Sequence, residues 1–244
     1  MTWRRQQQLL ATAIAHHLET GRPVGSASLA ESVEGRWSSA TIRNELAVLE
    51  EMGYLKRIHA SSGRVPTDRG FRFLVDRLLA RDRPMTATAQ GLGGRIAAMP
   101  LETPGMRAAY AAEQASAYLG FPIIIGGELG GQWQFVRGGV TRVLAFSEFE
   151  SLDLIRRVTA EIESGTALET VLKDLATHRD PTVRIGSEIA VPALDRCSIV
   201  VAGFPKTGAG VIAGIGPRRM PYLHVIAGLA QWAAWIEKIW QEPS

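Results

Sequence analysis

Apolar residues recur along this chain at two spacings, and the change from one to the other divides it. Over roughly the first 80 residues the repeat is helical. Leu10, Ile14 and Leu18 return every fourth position between Trp3 and Thr20, and Gly21 is placed to stop that helix. Arg22-Pro23-Val24-Gly25 reads as a turn, after which Ser26 or Ser28 opens a short second helix to about Val33. Ser28 and Glu31 have the spacing of a capping box. Gly35-Arg36-Trp37 then leads into a third helix, capped by Ser38 or Ser39, buried through Ile42, Leu46 and Leu49, and closed at Gly53. Tyr54 to Ile58 and Val65 to Thr67 read as strands around a polar tip, the second an edge strand that tolerates Pro66. Thr67 caps a fourth helix with Phe71, Leu74, Val75 and Leu78 at i, i+3, i+4 and i+7.

Beyond it the pattern fails and then returns in another form. Gly91, Gly93, Gly94, Pro100 and Pro104 interrupt residues 84–105, which read as a linker with at most a short helix from Gly94 to Met99. Thr103-Pro104 opens an alanine-rich helix to Leu119. Short apolar runs bounded by glycine follow: Phe121 to Gly126, Trp133 to Val136, Val140 to Ala145, Thr182 to Ile185, Ser198 to Phe204 and Val211 to Ile215 are strand candidates. Between them, Ser147 with Glu150 and Thr166 with Glu169 have capping-box spacing ahead of two amphipathic helices. A last helix begins at Pro221 or Tyr222 and carries Val225, Ile226, Leu229, Trp232, Ile236 and Ile239. Helices around strands joined by hairpins predict an α+β domain, not a doubly wound one.

Composition narrows the class. With 244 residues, 46% hydrophobic and 21% charged, the chain suggests one or two domains with a sizeable core and reads as globular, not disordered. No apolar run reaches the length of a membrane span and the N-terminus has no apolar signal core, so a cytoplasmic address is expected. Cys197 stands alone, which excludes an internal disulfide and makes it a candidate for core filler. The net charge of +3 is unevenly placed. Thirteen lysines and arginines face nine acids through Arg83, a balance of +4, whereas the remainder stands at −1. A basic N-terminal third suits nucleic acid.

The third helix supplies the matching chemistry. Opposite its buried stripe lie Ala40, Arg43, Asn44 and Ala47, a small face bearing one guanidinium and one carboxamide. Those two groups read guanine and adenine edges bidentately. Helix, short turn, capped helix is the helix-turn-helix arrangement, and the hairpin behind it reads as a wing. Ser39, Ala40, Arg43 and Asn44, with Ser38 and Thr41 at the helix start, are therefore expected at base edges or nearby phosphates. Lys56, Arg57, His59, Ser61, Ser62 and Arg64 are expected to hold the backbone.

These residues also carry a resemblance. Pro23-Val24-Gly25-Ser26, Ser38 through Glu45, Leu49 through Leu55 and Ser61 through Arg72 resemble the DNA-binding domain of HrcA-type heat-inducible transcription repressors, almost without a gap from about Arg4 to Leu79. Ile58 stands where that family usually has proline and Ala60 where it often has threonine. Further on, Gly138 to Phe149, Val183 to Glu188 and Gly214 to Tyr222 resemble its later core, with Pro221 in place of a frequent aspartate. Arg83 to Gly138 is much shorter than usual, which implies that part of the GAF-like domain and the inserted dimerisation domain are reduced or absent.

The resemblance implies a winged helix-turn-helix domain over residues 1–83, a linker over 84–105 and a reduced GAF-like sensor and dimerisation domain over 106–244. It further implies a non-enzymatic repressor of heat-shock genes that needs no cofactor or metal. Such a protein binds, as a homodimer, the inverted-repeat operator of chaperone operons on double-stranded DNA, with a GroE-type chaperonin as a possible further partner and no membrane. The alternative is a winged-helix regulator controlled by a small ligand in its C-terminal domain.

Other footholds are weaker. Gly208-Ala209-Gly210-Val211-Ile212-Ala213 fits the dinucleotide pattern G-x-G-x-x-A, yet the residues after the glycines are strand-like where that motif needs a helix. His16, His17 and His59 lack partners at metal-ligand spacing. Gly216-Pro217-Arg218-Arg219-Met220 is a sensor-domain signature by resemblance; its arginines could bind an anion, pair with Glu188, touch a partner subunit or face solvent.

Overall fold

The computed structural model describes residues 2–33, 36–59, 62–80, 103–178, 180–204 and 209–241. The chain divides into two compact units, Met1–Arg81 and Asp82–Ser244. The expected linker through residue 102, its short helix and Ser61 lie outside the described residues, as do Lys206, Thr207 and Gly208 and the side chain of Ile239.

In the first unit, α1 (Thr2–Thr20) buries Leu9, Leu10, Ala13 and Ile14 completely, and Gly21 ends it at a left-handed φ of 68°. Helix α2 (Ser26–Ser32) starts from Gly25. The expected Ser28–Glu31 capping box does not form, because the Ser28 hydroxyl donates to the Gly25 carbonyl at 3.0 Å instead of accepting a backbone N–H. Helix α3 (Ser39–Glu51) is capped by Ser38. Strands β1 (Leu55–Arg57) and β2 (Arg64–Pro66) pair antiparallel, with Arg57 opposite Arg64.

Residues 22–25, expected to be only a turn, also contribute to this sheet. Val24 exchanges two backbone hydrogen bonds with Arg64, at 2.7 and 2.9 Å, as a third extended segment beside β2. Helix α4 (Asp68–Leu79) begins at Thr67, whose hydroxyl accepts from Gly70 N–H and donates to the Gly53 carbonyl. One side chain thus caps α4 and fastens it to the end of α3.

The second unit comprises α5 (Pro104–Leu119), β3 (Ile123–Leu129), β4 (Gln132–Gly138), α6 (Leu152–Ser164), α7 (Thr166–Leu175), β5 (Thr182–Ile185), β6 (Cys197–Gly203), β7 (Gly210–Pro217) and α8 (Tyr222–Gln241). The strands form one antiparallel sheet in the order β4-β3-β7-β6-β5. Strand parity separates its two faces. Ile124, Ile199, Val201, Val211, Ala213 and Ile215 join Val158 and Ile162 of α6 and Leu168, Leu172 and Leu175 of α7 in one core. The opposite face meets α5 and α8: a Cβ on Gly214 would lie 3.3 Å from Leu229, and one on Gly228 would lie 2.5 Å from Leu119. Burial on both faces explains why β3, β6 and β7 read as unbroken apolar runs.

Three expectations change here. Val140–Ala145 is a 3-10 helix, not a strand. Gly139 turns left-handed (φ 64°) directly after β4 and diverts the chain from the sheet; Val143 enters the core while Leu144 stays exposed. The cap of α6 is Ser151, which accepts from Leu154 N–H at 3.1 Å, because Phe146 and Phe149 draw the preceding segment into an aromatic cluster with Phe121. At α7 the first-turn N–H of Leu168 is taken by Glu161 Oε1 at 3.0 Å, so Glu169 is left to pair with Arg137.

The junction of β4 and α5 is tight. A Cβ on Gly138 would sit 2.3 Å from the backbone carbon of Ala112. Gly138→Ala is expected to lower stability by about 1–2 kcal/mol, since neither backbone can yield freely. Unchanged chemical unfolding of that variant would refute the close approach. Cys197, on β6, is fully buried, and burial followed by the nearby Asp195 carboxylate pushes its thiol up to about 12 against the opposing effect of Arg218. The thiolate is the reactive form. The native protein is therefore expected to resist alkylation near pH 8 until it is unfolded, and rapid native labelling would contradict that.

Candidate nucleic-acid interface

The start of α3 is built from its own hydroxyls. Ser38 Oγ accepts from Thr41 N–H at 3.1 Å and shares a hydrogen bond with Thr41 Oγ1 at 2.9 Å. Ser39 Oγ donates to Ser26 Oγ at 3.2 Å, tying α3 to α2. Ser38, Ser39, Ala40, Arg43 and Asn44 are exposed, Thr41 is half-buried, and Ile42, Leu46 and Leu49 are fully buried beneath them. The serine and threonine hydroxyls are thus committed to the helix and its neighbour. The Arg43 and Asn44 side chains make no hydrogen bond among the described residues, so the polar readout capacity of this face resides in them.

Two carboxylates absent from the sequence reading hold α3 in place. Glu45, 6% exposed, receives the Arg5 guanidinium and Gln6 Nε2 (3.0 Å), both from α1. Glu50 Oε2 accepts from Arg64 Nε at 2.8 Å and from Arg57 Nε at 3.2 Å, one from each strand of the hairpin. Helix α3 is therefore fastened to α1 on one side and to the hairpin on the other, and its outer face stays open. A signal was present in the sequence. Glu50 sits in the last turn, where a negative charge opposes the helix dipole and calls for a cationic partner.

The hairpin carries its expected residues in unequal states. Lys56 and His59 are exposed, as is Arg57 despite its ion pair. Ser62 Oγ accepts from His59 N–H at 2.9 Å and donates to the His59 carbonyl at 2.8 Å, closing the tip with the group expected to face phosphate. Arg64 differs from its neighbours in burial. It is 6% exposed, bridged to Glu50 by its side chain and to Val24 by its backbone. Burial at the Val24 bridge and the ion pair with Glu50 give it a structural role in the hairpin.

In the second unit the signature residues form a clamp. Pro217 lies opposite Cys197 at the end of the β6–β7 pair, and a Cβ on Gly216 would meet Phe121 at 2.6 Å. Arg218 Nη2 donates to the Asp195 carbonyl, and Arg219 Nε donates to Glu148 Oε1, both at 2.5 Å. Met220 is fully buried. Of the alternatives open from sequence, internal pairing is present, between Arg219 and Glu148, while the Glu188 carboxylate accepts from Ile185 N–H. Val211 to Ala213 lie within β7, so no helix follows the glycines and the dinucleotide reading fails.

Comparison with known proteins agrees with this geometry. The family model described as the HrcA protein C terminal domain matches residues 124–226. The heat-inducible transcription repressor HrcA of Natranaerobius thermophilus is 48% identical over 81 residues, 33% of this chain and 23% of that protein. The matched stretch thus spans about a quarter of that relative's length. Among solved structures, a protein described as hypothetical superposes with a TM-score of 0.79 at 18% identity, over 96% of this chain and 97% of the other, which shows a shared fold. Two stretches of the chain thus resemble the HrcA family, one through the family model over residues 124–226 and one through the 81 residues matched to the repressor.

Proposed function

We propose that this chain is a sequence-specific DNA-binding transcription repressor that acts through α3. The family is one of repressors and not of enzymes. The carrying observation is the asymmetry of α3: its inner side is fixed by Glu45 and its flank by Glu50, while Ala40, Arg43 and Asn44 face outward on a rigid support. Small residues around one guanidinium and one carboxamide suit entry into a major groove and direct base readout. In this reading residues 1–83 are a winged helix-turn-helix domain, and Lys56 and Arg57 in the wing meet phosphates.

Residues 84–105 are read as a linker and residues 106–244 as a GAF-like sensor and dimerisation domain. The antiparallel sheet with helices on both faces supports that second assignment. A homodimer places two recognition helices on two half-sites, so the operator is an inverted repeat. The name of the Natranaerobius thermophilus relative points to heat-shock genes, hence chaperone operons in the cytoplasm, with a GroE-type chaperonin as a partner. Among the described residues no helix is long and apolar enough to cross a membrane. Selection of bound sequences from random duplex DNA tests the reading. It expects an enriched inverted repeat; recovery of no enriched sequence would overturn it.

A further inference from the structure

Glu50 stands out because its location is unfavourable on two counts that its partners offset. It lies in the last turn of α3, at the negative end of the helix. It also lies seven residues, about two turns, beyond Arg43 on the same row, at the border of the face assigned to DNA. Across the hairpin, Arg57 and Arg64 are direct cross-strand neighbours, an arrangement in which like charges repel. A single oxygen, Glu50 Oε2, accepts from both guanidinium groups.

The two arginines are held unequally. Arg64 is nearly enclosed, with its side chain 7% exposed, and its bond is the shorter one. The Arg57 side chain is 41% exposed and its bond is 3.2 Å. Near a duplex, only Arg57 has the solvent access to exchange the carboxylate for a phosphate.

We propose that Glu50 is a positioning residue that restrains sequence-independent DNA binding by holding the Arg57 guanidinium on α3. The inference rests on the reading of α3 and the hairpin as the DNA-binding face. Contact with phosphate through Arg57 then requires breaking one ion pair and bringing the Glu50 carboxylate close to the polyanion. That cost falls equally on every sequence. It therefore lowers the affinity for operator and random duplex alike and leaves discrimination to base readout by Arg43 and Asn44.

The test uses the full chain with Glu50→Gln, Arg57→Gln and the double variant, titrated against the selected operator and a random duplex across a salt series. Glu50→Gln keeps a hydrogen-bond acceptor and loses the charge. It is expected to tighten random-duplex binding several-fold and to steepen the salt slope by about 0.9, so that the gain shrinks about threefold between roughly 50 and 200 mM salt. In the Arg57→Gln background the same change is expected to bring no such steepening, a non-additivity that a merely structural role would not produce.

Thermal unfolding of each variant separates loss of fold from loss of restraint. An unchanged or shallower salt slope in folded Glu50→Gln protein overturns the inference, as does an equal gain with and without Arg57. Failure of the wild-type chain to bind any duplex overturns the DNA-binding reading itself.

Discussion

Arg43→Ala is expected to remove roughly 1–3 kcal/mol of operator binding while leaving affinity for random duplex nearly unchanged. Arg43 is exposed on a helix whose buried side is fixed by Ile42, Leu46 and Leu49 and whose polar anchors lie elsewhere. Its removal therefore takes nothing from the fold and one bidentate donor pair from the groove. The measurement is a pair of titrations, operator against random duplex, at one fixed salt concentration. Equal losses on both would show that Arg43 contacts phosphate and not a base.

Arg64→Ala is expected to act on the fold. Removing one partner of a buried ion pair costs about 3 kcal/mol, the lower end of the usual range because Glu50 keeps some hydration. The loss is compounded by geometry: with the strut gone, Glu50 has only the exposed Arg57 left to secure α3 to the hairpin. Chemical unfolding of the variant reads the effect directly. Wild-type stability combined with weakened binding to every duplex would restore the phosphate role that the sequence suggested for Arg64.

Local chemistry was the part of the molecule most open to reading from sequence. Ser38, Thr67 and Thr103 cap the helices expected of them, because capping needs only a hydroxyl followed by three residues of helix. The apolar runs of β3, β6 and β7 are strands because both faces of their sheet are covered. Val140 to Ala145 has the same apolar content and forms a 3-10 helix, since Gly138 against Ala112 and left-handed Gly139 turn the chain away from the sheet. The capping boxes at Ser28, Ser147 and Thr166 fail for a related reason. Each N–H or carboxylate that the box would use has a better-placed partner, or the helix starts elsewhere.

The outer face of α3 could be identified from residue type and helical period alone, because exposure on an amphipathic helix follows from which side is apolar. The same logic could not rank Lys56, Arg57 and Arg64. In a three-residue strand, the face a side chain takes depends on what lies across the pleat, and for Arg64 that is Val24, forty residues away in sequence. Glu45 and Glu50 were overlooked for the complementary reason: their partners come from α1 and the hairpin, and no sequence spacing records those encounters.

By itself, then, the order of amino acids determined the helices and their caps, the apolar strands, the basic N-terminal third and the small polar face of α3. All of these follow from interactions within a few residues. Only the tertiary structure decided that Arg64 is a strut, that Arg57 and Arg64 share one carboxylate, and that Arg219 pairs with Glu148. A charged side chain takes its role from the counter-charge and the solvent around it, and both are set by chain segments that folding brings together.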